Sequence, residues 1–207
     1  MKFRQAEAIR YLGAAQNDKT AEILVNTVYL KLRNEVQARN IIRRYGCTVF
    51  EDKVVLDCGV EFFSQDLARH LEGCRQVLIM AATLGLKTDN AVRRLTLESV
   101  AEGAAAQAVA ASLIESYCDE LQEQTDTGEL KQRPRFSPGY GDWSLAEQQK
   151  LFRLLECSKN IGLTLTDGMV MVPTKSVTAV IGLAEDAVCT WNKCMTCKNI
   201  NCPFREE

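Results

Sequence analysis

Four cysteines crowd the end of the chain, Cys189, Cys194, Cys197 and Cys202, spaced C-x4-C-x2-C-x4-C and followed by Pro203. A Cys-x2-Cys unit lets two thiolates reach one ion from a tight turn, and a second pair completes the tetrahedral set of structural zinc sites. The C-x4-C-x2-C spacing also occurs in plant-type iron–sulfur proteins, although there the fourth Cys lies much farther along the chain. The tail is therefore expected to hold a zinc ion or an iron–sulfur cluster, with free or disulfide-linked thiols as the alternative. Metal would stabilise a segment too short to own a core, whose only large aromatics are Trp191 and Phe204.

A second candidate contains no Cys. Residues Arg133 to Trp143 read RPRFSPGYGDW, with two Pro, two Gly and three aromatics in eleven positions. That is no helix and too irregular for an interior strand. Arg135 could clamp a carboxylate through paired charge-assisted hydrogen bonds, and Tyr140 offers a flat face and a hydroxyl. Pro138 fixes one φ angle, and Gly139 lets a ligand approach the main chain. On residue types alone, a surface loop whose Tyr packs on the core is the plainer reading.

The remaining reactive side chains are less patterned. Cys47, Cys58, Cys74, Cys118 and Cys157 are scattered, and Cys74 and Cys118 sit in apolar contexts that suit small core residues. A catalytic Cys with His70 as base has no spacing signature. The basic stretch Arg39 to Arg44 reads as a solvated helix face before it reads as a phosphate contact.

Composition sets the frame for these candidates. The chain has 207 residues, 46% of them hydrophobic, with 25 basic and 27 acidic side chains, a formal net charge of −2, one His and nine Cys. That length suits one sizeable domain plus an appendage, or two small domains. A near-neutral balance argues against sequence-independent nucleic-acid binding, which needs a basic surplus. No run approaches the 18 or so apolar residues that span a bilayer, and the start lacks a signal-peptide core. A cytoplasmic protein is expected. In that reducing compartment clustered Cys more often bind metal or do redox work than form disulfides.

The elements that must position the candidates follow from periodicity. Asn17 or Asp18 can cap a helix running to about Tyr45, carried by Ile23, Leu24, Val28, Leu32, Val36 and Ile42. Cys47 to Phe50 and Val54 to Leu56 suit a hairpin. Ser64 can cap a short helix through Leu71, and Val77 to Ala82 reads as a buried strand followed by a helix over about Asp89 to Leu95. An Ala-rich helix from Glu98 to about Gln124 can approach its neighbours closely and should be central. A polar loop over Thr125 to Gln132 precedes the Arg133 segment. Ser144 and Glu147 form a capping box for the next helix. Gly162 to Thr166, Met169 to Pro173 and Ser176 to Leu183 read as strands, the first two joined by Asp167 and Gly168. Helices first and consecutive strands last favour an α+β fold, expected as a twisted, mainly antiparallel sheet with several flanking helices and a short Cys-rich C-terminal tail.

Taken together, RFSPGYGDWSLAEQQKLFRLLE and IGLTLTDGMVMVPTKSV resemble the reactivation domain of cobalamin-dependent methionine synthase. The resemblance lies in the order R-x-x-P-G-Y, helix, I-G-x-x-L-T, M-x-P and S-V, between Arg135 and Val177, with EAIRYLG near the start and AATLG at Ala81 to Gly85 compatible. It implies a domain that binds S-adenosylmethionine and docks on a cobalamin-carrying methyltransferase whose cobalt has been oxidised to Co(II). One electron, from a flavodoxin- or ferredoxin-type donor, reduces the cobalt to Co(I), and the sulfonium transfers its methyl group to that Co(I). Drainage of a small Co(I) population by methyl transfer makes the unfavourable reduction effective, and the protein supplies proximity and orientation.

Carried across by motif, Arg135, Gly139 and Tyr140 match the family's S-adenosylmethionine loop, with Arg135 facing the methionyl carboxylate. Glu115 is a loose match for an acidic ligand contact, a solvated helix charge being the alternative. The family continues its S-V strand with Gly and aromatics and then a Tyr pair, whereas this chain reads Thr178, Ala179, Val180, Ile181 and Gly182, so part of the pocket must differ. The expected organisation is an activation-like domain over 1–188 and the Cys-rich tail over 189–207, acting on a separate partner chain. The rival expectation is a metal-binding electron-transfer or interaction module on the same fold that does not use S-adenosylmethionine.

Overall fold

The computed structural model describes residues 1–185; the four cysteines of the tail lie outside them. The chain forms two compact units. The first comprises Met1–Ile41, Ala81–Thr125 and Glu156–Val177, and the second Ile42–Met80, Asp126–Leu155 and the described residues from Thr178.

The first unit is mainly helical. It holds α1 (Gln5–Leu12), α2 (Lys19–Leu32), α4 (Leu86–Glu98), α5 (Val100–Gln124) and the short α7 (Cys157–Ile161). Helix α5 is the hub, packing against α1, α2 and α4. Its Ala105, Ala106, Ala108, Val109, Ala110 and Leu113 are buried, as its small side chains predict. A Cβ on Gly103 would stand 2.7 Å from Thr96 Cα, so glycine is what lets α5 lie against the end of α4. The N-terminal segment is tied down by Ser112 Oγ donating to Arg4 O (3.0 Å), Ser116 Oγ to Lys2 O (2.6 Å) and a stacked Phe3–Tyr29 pair. Asp18 caps α2 by accepting from the Thr20 and Ala21 amides at 2.9 and 3.1 Å. A two-stranded ribbon, β6 (Thr164–Leu165) with β7 (Met171–Val172), completes the unit. Asp89 of α4 holds the chain after it, accepting from Thr174 N (2.6 Å) and Thr174 Oγ1 (3.0 Å).

The second unit carries most of a six-stranded sheet in the order β3-β2-β1-β4-β8-β5. Its strands are β1 (Arg39–Val49), β2 (Lys53–Leu56), β3 (Glu61–Phe63), β4 (Gln76–Thr83), β5 (Lys131–Gln132) and β8 (Ser176–Ala184). The expected hairpin is present, with Cys47 opposite Leu56 and Val49 opposite Val54, and β3 extends it antiparallel. Two helices, α3 (Gln65–His70) and α6 (Gln148–Leu155), belong to this unit. Ser64 caps α3 as expected, its Oγ accepting from Leu67 N at 2.9 Å.

Several expectations need correction. The helix from Asp18 ends at Leu32, not near Tyr45. From Ile41 the apolar groups Ile41, Tyr45, Cys47 and Val49 fall on alternate residues, a strand period that a helical reading of Val36 and Ile42 obscured. Arg39 to Arg44 is thus strand, not helix face. Ser144 also caps differently: its Oγ accepts from Ala146 N at 3.3 Å and opens a 3-10 turn over Leu145–Glu147, while the Glu147 carboxylate pairs with Lys150 at 2.8 Å. The polar loop expected over Thr125 to Gln132 ends in β5, which pairs antiparallel with β8.

Candidate ligand loop

In the second unit, the segment from Arg133 to Trp143 lies along β8 and then closes on itself. Arg133 N donates to Gly182 O at 2.9 Å, and Phe136 exchanges both backbone hydrogen bonds with Val180 at 2.9 and 2.8 Å. After this two-sided anchor, Ser137-Pro138-Gly139-Tyr140 makes a turn in which Tyr140 N donates to Ser137 O at 3.0 Å. Pro at the first central position and Gly at the second, with φ +93, is the chemistry of a type II turn. A second turn follows, Trp143 N donating to Tyr140 O (2.9 Å), and Gly139 N closes the pair of turns on Trp143 O (2.8 Å). Phe136 and Trp143 are buried beneath, Trp143 edge-on to Phe62 and Phe136 edge-on to Tyr140.

What fixes the loop is a carboxylate that the sequence reading did not single out. Asp142 caps the start of α3, accepting from Gln65 N (2.9 Å), from Asp66 N (3.1 Å) and from the Ser64 hydroxyl. Burial alone would disfavour its charged form, but together these donors win and hold the carboxyl below its ordinary range. Asp66 returns the contact by accepting from Asp142 N at 3.1 Å. This reciprocal clamp explains Gly141, where a Cβ would lie 2.2 Å from Asp66 Oδ2 and φ is +54. An Asp following a Gly in a turn-rich segment was a visible signal, but its partner 76 residues away was not.

The three expected ligand residues therefore sit on one anchored loop. Arg135 is half-buried between two fixed neighbours, Gly139 is exposed, and Tyr140 is 41% exposed despite its ring contact with Phe136. A Cβ on Gly139 would meet nothing nearer than a Leu145 methyl at 3.7 Å, so the surface over this turn is open to a ligand. A guanidinium, an open glycine and an exposed phenol on a pre-set turn suit a carboxylate-bearing molecule with a flat part.

The second half of the motif gathers in the first unit. Ile161, Gly162, Thr164, Val172 and Pro173 line a cleft of about 230 Å³ together with Gln37, Arg39, Gly85 and Leu86. Glu115 lies half-buried on α5 in the same unit. With burial first and Glu7 second, Glu115 helps push the Tyr11 hydroxyl up to about 12, which places it in the packing of α1 on α5.

The other candidates resolve simply. Cys74 and Cys118 are buried, as is Cys157. Burial pushes the Cys47 thiol up to about 12, which leaves it unreactive at neutral pH. His70 is fully buried with Nε2 2.9 Å from Pro134 O, a backbone role and not that of a base for a thiol. Among the described residues no group of three or more His, Cys, Asp or Glu could hold a metal ion, and no helix is long and apolar enough to cross a membrane.

Residues 94–192 match the family model of the vitamin B12 dependent methionine synthase activation domain. Among solved structures, the crystal structure of the MetH reactivation domain bound to AdoHcy is similar, with a TM-score of 0.64 and 17% identity, over 86% of this chain and 70% of that one. At that identity the likeness is one of fold. No curated protein sequence matches.

Proposed function

We propose that this chain, which resembles the activation domain of cobalamin-dependent methionine synthase, binds S-adenosylmethionine at the Arg135–Tyr140 loop. Acting as a stand-alone cytoplasmic subunit, it supports reductive methylation of a cobalamin-carrying methyltransferase, most simply methionine synthase. The observation that carries the reading is the pre-set loop, in which Arg135 stands in the anchored stretch just ahead of the clamped double turn that carries Gly139 and Tyr140.

The residues present fit the ligand's charged end. Arg135 supplies the cation for the methionyl carboxylate, and fixed neighbours on both sides spare the main chain there the cost of ordering on binding. Gly139, whose amide is spent on Trp143 O, contributes space rather than a hydrogen bond. Tyr140 offers its face and hydroxyl to the flat part of the ligand. When bound, S-adenosylmethionine supplies an electrophilic methyl group for the reduced cobalt of the partner, with the electron coming from a flavodoxin- or ferredoxin-type donor. This chain holds and orients the methyl donor.

In this reading 1–188 is the activation-like domain and 189–207 a metal-binding appendage, with Cys189, Cys194, Cys197 and Cys202 as ligands of zinc or an iron–sulfur cluster. Lack of the family's Tyr pair after Val177 favours the rival, an electron-transfer or interaction module on the same fold. Isothermal calorimetry separates them. The protein should bind S-adenosylmethionine, and Arg135→Ala should weaken binding at least about tenfold, the worth of one lost charge-assisted contact. No binding by the wild type, or equal binding by the variant, would contradict the proposal.

A further inference from the structure

We propose that His70 is a positioning residue for the ligand loop, fixing the main chain on both sides of Arg135 so that the backbone carrying its guanidinium is set before a ligand arrives. The inference rests on the ligand reading above.

His70 closes α3 and is the only histidine of the chain. Its Nε2 lies 2.9 Å from Pro134 O. A carbonyl can only accept, so the neutral ring must carry its proton on Nε2. Pro134 has no N–H, which leaves that carbonyl as its one backbone handle, and it restricts Arg133 before it to extended conformations. On the other side of Arg135, the His70 ring packs on Phe136 with centroids 5.0 Å apart. The backbone of His70 completes the fixture, its carbonyl accepting from Arg133 Nη1 at 2.7 Å while Arg133 Nη2 reaches Glu72 O at 2.6 Å. Arg133, Pro134 and Phe136 are thus all fastened to the end of α3, and Asp142 fastens the far end of the loop to the start of the same helix. One short helix holds the loop at both ends. Burial, with the Arg133 charge nearby, keeps the ring neutral at physiological pH, so that it carries a single N–H, the one that Nε2 gives to Pro134 O.

The test uses the full chain, S-adenosylmethionine calorimetry, and amide hydrogen exchange without ligand. His70→Phe retains the ring contact but lacks the donor. It should weaken binding about tenfold and speed exchange at the Phe136 and Gly139 amides, while the α5 amides stay protected. His70→Gln, whose amide nitrogen can donate to Pro134 O, should recover most of both losses. Wild-type behaviour in His70→Phe, or a glutamine variant as impaired as the phenylalanine one, would overturn the proposal. If the wild type binds no S-adenosylmethionine, the ligand reading falls, and loop exchange in the two variants still decides on His70. Should His70→Phe fail to fold, the nitrogen NMR spectrum of the single imidazole decides instead: an Nε2–H tautomer supports the proposal and an Nδ1–H tautomer overturns it.

Discussion

What makes Arg135 a ligand residue is less the arginine itself than what surrounds it. A lone guanidinium on a mobile loop would give up much of its binding energy to ordering, whereas here both neighbours are fixed by backbone or side-chain hydrogen bonds. His70 makes that arrangement sensitive to acid. Burial, and then the Arg133 charge, lower its pKa to about 4, so the unfolded chain binds the extra proton between that value and the ordinary one near 6.5. Stability from His70 is therefore complete above pH ~6.5 and falls as the pH drops toward about 4, by on the order of 3 kcal/mol. Denaturant unfolding from pH 7 to 4 should show this slope in the wild type and a shallower one in His70→Phe. Equal slopes would mean that the ring is not held neutral by the fold. Arg135, Gly139 and Tyr140 were legible as candidates because residue type and motif order carry them. Asp142 and His70 were not, because their roles come from partners 64 to 78 residues away.

Elements that announce themselves locally were read well. The cap at Ser64, the buried run of β4 and the Ala-rich α5 each have a signal within a few residues. The start of β1 was misread because Val36 and Ile42 continue a helical spacing past the point where the chain turns, and only the alternation from Ile41 shows the strand. Strands of two residues, β5, β6 and β7, owe their existence to a partner strand and carry little pattern of their own. The close contact of α4 with α5 gives a test at this scale. Gly103→Ala gains helix propensity of up to about 1 kcal/mol, but its methyl meets Thr96 backbone at 2.7 Å, which cannot move without shifting α4. Overpacking of roughly 1–3 kcal/mol should win, and the melting temperature should fall by several degrees; an unchanged or higher value would show that the two helices have room to part.

At the scale of the whole molecule the charge balance and the α+β fold suit the ligand-binding domain proposed above, and the four clustered cysteines at 189–202 suit the proposed metal site. The five described cysteines form no disulfide among themselves. Anaerobic purification with metal analysis should find zinc or iron bound at the tail, the latter with a brown colour, and loss of metal on replacing Cys194 and Cys197 with Ser; an absence of both metals would remove the appendage from the account. The central claim is that the chain presents a methyl donor to an oxidised corrinoid. Its most direct test is to mix the protein anaerobically with a Co(II) corrinoid methyltransferase, S-adenosylmethionine and a one-electron reductant, and to follow the visible spectrum. The account predicts conversion of Co(II) to methylcobalamin that requires both this protein and S-adenosylmethionine and is lost in Arg135→Ala. Conversion at the same rate without the protein, or no conversion in its presence, would contradict it.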